Sequence, residues 1–153
     1  MNRVMSAGLY ELPRGILIHA YAPTKAGFLI AVEPSALLPP DAPDERVGAE
    51  LIRVLKQEQP VRPTPHRSDY KDIGDPVLRA VGLQSWTEVQ RDGRMCVVQI
   101  VNGRFRFIPT ANQRSDGARA FDHLNDQVLE VQVSGPGEVG QAARTALARS
   151  VLA

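Results

Sequence analysis

An Asn-Gly pair at 102–103 sits between two β-rich runs, Arg94-Met-Cys-Val-Val-Gln-Ile-Val101 and Arg104-Phe-Arg-Phe-Ile-Pro109. These two residue types accept the positive φ that a tight two-residue turn demands, so the pair predicts a β-hairpin. Loop length then sets the register. Val101 faces Arg104, Ile100 faces Phe105, Gln99 faces Arg106 and Val98 faces Phe107. One face carries Cys96, Val98, Ile100, Phe105 and Phe107, and the other carries Val97, Gln99, Val101, Arg104, Arg106 and Ile108. A slip of one residue would drive both arginines into the core, so the register is strongly specified. The hairpin is predicted to be the central sheet element.

A chain of 153 residues is one ordinary domain, able to bury roughly 70% of its unfolded surface. Hydrophobic content of 43% with 23% charged residues excludes a disordered chain. The net charge of +1 lacks the basic excess usual in nucleic-acid binders. A lone cysteine forms no internal disulfide and fits a reducing compartment. Cys96 alternates with Val98 and Ile100 and reads as a small core hydrophobe. No secretory h-region opens the sequence and no apolar run is long enough to span a bilayer, so a bacterial cytoplasmic protein is expected.

Residues 1–14 carry no decisive pattern, and Tyr10-Glu-Leu-Pro-Arg14 reads as an entry loop. Gly15-Ile-Leu-Ile-His-Ala-Tyr21 and Gly27-Phe-Leu-Ile-Ala-Val-Glu33 pair as a second hairpin across turn residues 22–27. His19, among apolar neighbours, is expected to be a hydrogen-bonded sheet histidine. Residues 35–40 form a proline-broken extended segment. A helix follows with Asp41 as its N-cap, and Val47, Leu51, Val54 and Leu55 share one face at helical spacing. Pro60, Pro63 and Pro65 end it, and 57–65 becomes a crossover between two halves of the domain. Asp75 with Pro76 starts a short helix that Gly82 stops. Ser85 and Glu88 make a capping box for another.

After the central hairpin, residues 111–120 read as a loop and 121–124 and 127–133 as strands. The second of these alternates Val128, Glu130 and Gln132 against Leu129, Val131 and Val133. The last element is a helix over 136–152 capped by Ser134, with a stripe of Val139, Ala143, Ala146 and Leu147.

The two long helices repeat each other. Val47-Gly48, Leu51 and Leu55 align at one constant offset with Val139-Gly140, Ala143 and Leu147, and Leu37 precedes them as Leu129 does. Glycine inside a helix costs about 1 kcal/mol, so its presence in both predicts close packing of helix on sheet. The implied fold is α+β: two antiparallel meanders, each followed by a packed helix, in a pseudo-twofold repeat. Its halves cover roughly 15–58 and 84–152 of a single domain spanning 1–153.

Chemistry-bearing signatures are missing. The sequence holds no GxGxxG, Walker loop, GxSxG or HExxH, and its three histidines and one cysteine lack metal-ligand spacing. His66 with Asp69, Asp72 and Asp75 is the nearest approach to an acid/base cluster, in a turn-rich stretch where such residues usually cap and solvate. Arg104 and Arg106 project from one strand face, where they could meet a phosphate or a partner carboxylate. Trp86, just after a cap, reads as core.

Four stretches carry a resemblance: Ala36-Leu-Leu-Pro-Pro-Asp-Ala-Pro-Asp-Glu-Arg-Val-Gly-Ala-Glu-Leu51, Gly82-Leu-Gln-Ser-Trp86, Ile108-Pro-Thr-Ala-Asn112, and the Val-Gly…Ala-Leu-Ala-Arg-Ser150 ending. In order and spacing they resemble an immunity-protein family of bacterial contact-dependent growth inhibition (CDI) systems. The resemblance covers most of the chain from about residue 15. It departs at Pro43, where a small polar helix cap is expected, and at 113–119, which has no equivalent.

The resemblance implies a cytoplasmic, non-enzymatic antidote that blocks the C-terminal toxin domain, often a nuclease, of a cognate CDI exoprotein. No cofactor, metal, membrane or small-molecule ligand is implied. Some relatives are similar to Whirly-type half-barrels, in agreement with the pseudo-repeat. No binding residues carry over, because the toxin-facing surface varies within such families. The acidic groups that would suit a basic nuclease are Asp69, Asp72 and Asp75, with Tyr70 among them, and Asp122, Asp126 and Glu130. The competing function is a Whirly-like binder of single-stranded nucleic acid through Arg104 and Arg106; balanced charge and few aromatics count against it. A small enzyme built on His66, Asp69, Asp72 and Asp75 ranks third.

Overall fold

The computed structural model describes residues 4–113, 120–132 and 135–152. Its strands are β1 (Met5–Leu12), β2 (Gly15–Pro23), β3 (Leu29–Leu38), β4 (Arg94–Val101), β5 (Arg104–Gln113), β6 (Ala120–His123), β7 (Leu129–Gln132) and β8 (Val151–Leu152). Its helices are α1 (Asp44–Lys56), α2 (Asp75–Val81), α3 (Trp86–Asp92) and α4 (Pro136–Arg149), with 3-10 turns at Arg67–Asp72 and Asn125–Gln127. The strands form one open sheet ordered β3-β2-β1-β4-β5-β6, with β7 and β8 also on β5. All of these pairings are antiparallel except β5 with β8. This is the expected α+β architecture, a sheet not closed into a barrel.

The hairpin forms in the expected register, Val98 opposite Phe107 through Val101 opposite Arg104. Asn102 and Gly103 both take positive φ, 51° and 76°, the turn whose twist matches that of the strands it joins. Phe105, Phe107, Cys96 and Val98 are buried on the face covered by α1 and α4. There they meet Leu9, Ile16 and Ile18 of the sheet and Val47, Leu51, Leu55, Ala143 and Leu147 of the helices. β7 keeps its predicted alternation. Leu129 and Val131 pack on this core, while Val128 packs on the opposite face.

That opposite face holds a second core, which sequence reasoning did not anticipate. Tyr10, Leu17, Met95, Val97 and Ile108 of the sheet lie beneath Val77, Leu78 and Val89 of α2 and α3. Strands covered on both sides read as continuous apolar runs, as Gly15-Ile-Leu-Ile does.

The entry loop expected at 10–14 is corrected at Tyr10 to Leu12, which close a strand in the stretch that the sequence left unassigned. β1 occupies the middle of the sheet, paired with β2 on one side and β4 on the other. Its Ser6-Ala7-Gly8 stretch has low strand propensity, and packing between two strands overrides it. Gly8 lies opposite His19, and any side chain there would collide with the imidazole. The segment 35–40 is also reassigned, since β3 stays paired to Leu38 and a register shift at His19/Ala20 absorbs the interruption. Pro34 is tolerated because β3 is an edge strand, where a missing N–H breaks no ladder.

Three helix ends differ from expectation. Asp41 does not cap α1; Pro43 holds that position without a side-chain bond, and Asp44 and Glu45 supply the favourable first-turn charge. Gly74, in the left-handed region, takes the cap position expected for Asp75. α4 stops at Arg149, and Val151–Leu152 turns into a strand beside Ala111 and Asn112. Ser150 anchors this exit, its Oγ lying 2.9 Å from the Met95 carbonyl. Ser134, the expected cap of α4, Val133 and residues 114–119 lie outside the described residues; the expected loop 111–120 is corrected at its ends, where 111–113 continue β5 and Ala120 opens β6, because the two strands pair with each other. Ser85 caps α3 as predicted, accepting from the Glu88 N–H.

The repeat glycines pack helix against helix, not helix on sheet. A Cβ on Gly48 would fall on the Pro136 carbonyl, and one on Gly140 would fall on the Asp44 carbonyl. The reciprocity is that of a twofold axis, each helix offering the same surface to the other. Arg144 fastens the crossing, with Nε 2.9 Å from Asp44 Oδ1 and a second bond to the Ala42 carbonyl.

Candidate functional site

His19 is fully buried, and its Nδ1 lies 2.8 Å from the Ala20 carbonyl oxygen. A carbonyl only accepts, so Nδ1 carries the proton and the neutral ring leaves Nε2 as acceptor. The Tyr10 hydroxyl, 3.1 Å away, therefore donates to Nε2, and the Tyr21 ring lies edge-on to the imidazole with centroids 4.8 Å apart. Trp86 packs edge-on against the imidazole at 5.8 Å. Burial pushes both tyrosine hydroxyls up and His19 down, to about 4. This is the satisfied sheet histidine expected from its neighbours, closed to any outside ligand. Cys96 is buried as expected, and burial raises its thiol well above the usual range.

The histidine carries a pH prediction. In the unfolded chain its ring takes up a proton near pH 6.5, whereas in the folded chain it resists until about 4. Between those values acid favours the unfolded state. His19's contribution is therefore complete above pH 6.5, is lost as pH falls toward 4, and levels off below. A shift of that size amounts to roughly 3 kcal/mol. Urea midpoints from pH 7 to 4 should show this loss, and His19→Gln should flatten that portion of the curve while lowering stability overall. An unchanged slope in the variant would assign the acid sensitivity elsewhere.

The acidic residues divide into two groups. Asp69, Tyr70 and Asp72 are exposed on the 3-10 turn Arg67–Asp72, and Asp75 begins α2, which packs on β3. Asp122 on β6, Asp126 in the turn Asn125–Gln127 and Glu130 on β7 are exposed beyond β5, at the other end of the strand order. The sheet thus holds the two sets apart. Glu130 sits directly across from Arg106, with Oε1 3.9 Å from Nε. Arg104 is exposed beside it. Among the described residues no three His, Cys, Asp or Glu side chains converge to hold a metal ion, and no helix is long and apolar enough to cross a membrane.

A surface that sequence reasoning missed lies near the first acidic group. Between the start of β1, the β2–β3 turn, the last turn of α1 and the segment 57–65 runs a groove of about 380 Å³. Val4, Leu29 and Val61 line it with Pro23, Val54 and Leu55. The segment 57–65 is fixed as its wall: Arg62 N–H donates to the Pro23 carbonyl at 2.8 Å, and Lys25 N–H to the Arg62 carbonyl at 3.0 Å. The Ala26 N–H donates to Thr64 Oγ1 at 2.9 Å. Its prolines signalled the break in the helix, but nothing local signals what the segment docks against.

The fold is thus an open, mostly antiparallel sheet with α1 and α4 crossed on one face and α2 and α3 on the other. The sequence profile of CdiI, CDI immunity protein, matches residues 6–150. The chain belongs to the CDI immunity protein family. No functionally curated protein matches it significantly. Among solved structures, a protein of unknown function from Neisseria meningitidis, NMB0488, superposes with a TM-score of 0.73 at 16% identity, over 97% of this chain and 96% of its own. A chain of the CdiA-CT/CdiI toxin and immunity complex from Yersinia pseudotuberculosis gives a TM-score of 0.68 at 16% identity, over 97% and 98%. At that identity the likeness is one of fold.

Proposed function

We propose that this protein is the cytoplasmic antidote to one cognate CDI toxin, a nuclease, and that it acts by binding alone. The observation that carries the reading is the family match across nearly the whole chain. A structural neighbour described as a toxin and immunity complex supports it, and the buried, satisfied state of His19 supports a role without chemistry. The partner is the C-terminal toxin domain of the cognate exoprotein. The acidic side chains of Asp69, Asp72 and Asp75, or of Asp122, Asp126 and Glu130, would meet the basic surface by which a nuclease holds its substrate.

An antidote has to outcompete a lethal enzyme in the same compartment, so a nanomolar dissociation constant or tighter is expected, about −12 kcal/mol. Co-expression with the toxin domain encoded beside its gene should rescue growth, and the two should co-elute as a stoichiometric complex. Cell death despite ample folded protein, with no complex on size-exclusion chromatography, would refute the reading.

A further inference from the structure

We propose that acid opens this fold on one side: when His19 takes up a proton, α3 lifts away from the sheet with Trp86, while the face under α1 and α4 stays folded.

The imidazole lies under a thin cover. Tyr21 and Trp86 screen it edge-on, at centroid distances of 4.8 and 5.8 Å, and both of these side chains are themselves only half-buried. A positive charge created beneath them needs either a counter-charge or water. The surrounding elements carry Glu11 on β1, Glu33 on β3, Asp75 and Arg79 on α2, and Glu88, Arg91 and Asp92 on α3. None of these sets the proton affinity of the ring, which follows from burial and the Ala20 carbonyl. The titratable side chains that face it are the phenols of Tyr10 and Tyr21, and phenols stay neutral in acid. Water is therefore the remaining source of compensation, and it has to enter past the cover.

The cover on the α3 side is the weaker of the two layers. α3 has seven residues and buries only Val89, and α2 has seven and buries only Val77 and Leu78. On the other face α1 and α4, of 13 and 14 residues, interlock at Gly48 and Gly140. Small units with few buried groups open well before the whole chain does. Trp86 also holds a cost that opening relieves. Its Nε1–H is buried with no hydrogen-bond partner among the described residues, and such a donor regains its bond in water. The same indole abuts Gly74 at the head of α2, where an added Cβ would fall 2.8 Å from it, so α2 loosens along with α3. Asn112 anchors the far end of α3 by donating to the Gln90 and Gly93 carbonyls at 2.6 and 2.9 Å. The helix thus pivots at that end, and its Trp86 end swings out.

The chain has a single tryptophan, so its emission reports this contact in the intact protein. On titration from pH 7 to about 4 the emission maximum should move to longer wavelength before the far-UV circular dichroism changes. Hydrogen exchange followed by mass spectrometry, corrected for the intrinsic rate, should show protection across 86–92 falling at least about tenfold while 96–107 keeps its own. His19→Gln should abolish the emission shift. Glu88→Gln, which removes the 3.5 Å pair with Arg14, should leave the shift in place and so separates the histidine from the acid titration of that carboxylate. If His19→Gln does not fold, the exchange contrast between the two segments of the wild type decides alone. Emission and circular dichroism changing together, protection at 86–92 held in acid, a shift that persists in folded His19→Gln, or one lost in Glu88→Gln would each overturn the proposal.

Discussion

Gly48→Ala should destabilise the fold by about 3 kcal/mol, at the upper end of ordinary overpacking costs. Helix propensity argues for the opposite sign, since alanine in a helix interior gains about 1 kcal/mol over glycine. The contact decides the matter. A methyl on Gly48 would meet the Pro136 carbonyl, which is backbone at the start of another helix and has no rotamer to escape into. Gly140→Ala should cost a similar amount for the reciprocal reason, its methyl meeting the Asp44 carbonyl. The double variant should cost less than the sum, because one separation of the helices relieves both clashes. Gly137→Ala is the internal control. It makes the same chemical change in α4 with nothing within 4 Å of the new carbon, so it should stabilise by up to about 1 kcal/mol. Urea denaturation of the four variants tests the set, and a stabilised Gly48→Ala would show that α1 and α4 do not cross at these glycines.

Phe107→Ala should cost about 3–5 kcal/mol, the range for deleting a large buried aromatic side chain. Phe107 is wholly buried and stacks near Phe105 with centroids 6.2 Å apart, at the centre of the core beneath α1 and α4. A loss under about 1 kcal/mol on chemical denaturation would remove the hairpin from the core. The neighbouring Arg106→Ala provides the contrast. Its side chain is 40% exposed and lies 3.9 Å from a Glu130 that is 56% exposed, and ion pairs of that kind contribute about 0–1 kcal/mol. Opposite outcomes at adjacent positions follow from the period-two alternation of a strand.

Much of this fold could be read from short stretches. The register of β4 on β5 needed only Asn102-Gly103 and the alternation on either side. The faces of α1 and α4 needed only their apolar spacing, the cap of α3 needed Ser85 and Glu88, and the bonding of His19 followed from its neighbours. The equivalence of the two long helices was also visible, in glycines repeated at a constant offset. Their purpose was misassigned, because a glycine declares that something comes close without saying what.

β1, the second core and the groove were illegible for one shared reason. Met5–Leu12 is a weak strand by composition and becomes the middle of the sheet because β2 and β4 both pair with it. Val97, Ile108 and Leu17 lie on a face that α2 and α3 cover, and short helices of seven residues leave little periodic trace of where they dock. Val4, Leu29 and Val61 are far apart in the sequence and meet only because segment 57–65 bonds back to the β2–β3 turn. The sequence by itself determined the hairpin turn, the cap of α3, the faces of the long helices and the family, since those depend on residues within a few positions of one another or on motif order. Tertiary structure decided which strand is central, which glycine meets which carbonyl and where the exposed apolar surface gathers, since those are set by contacts between segments that no local pattern encodes.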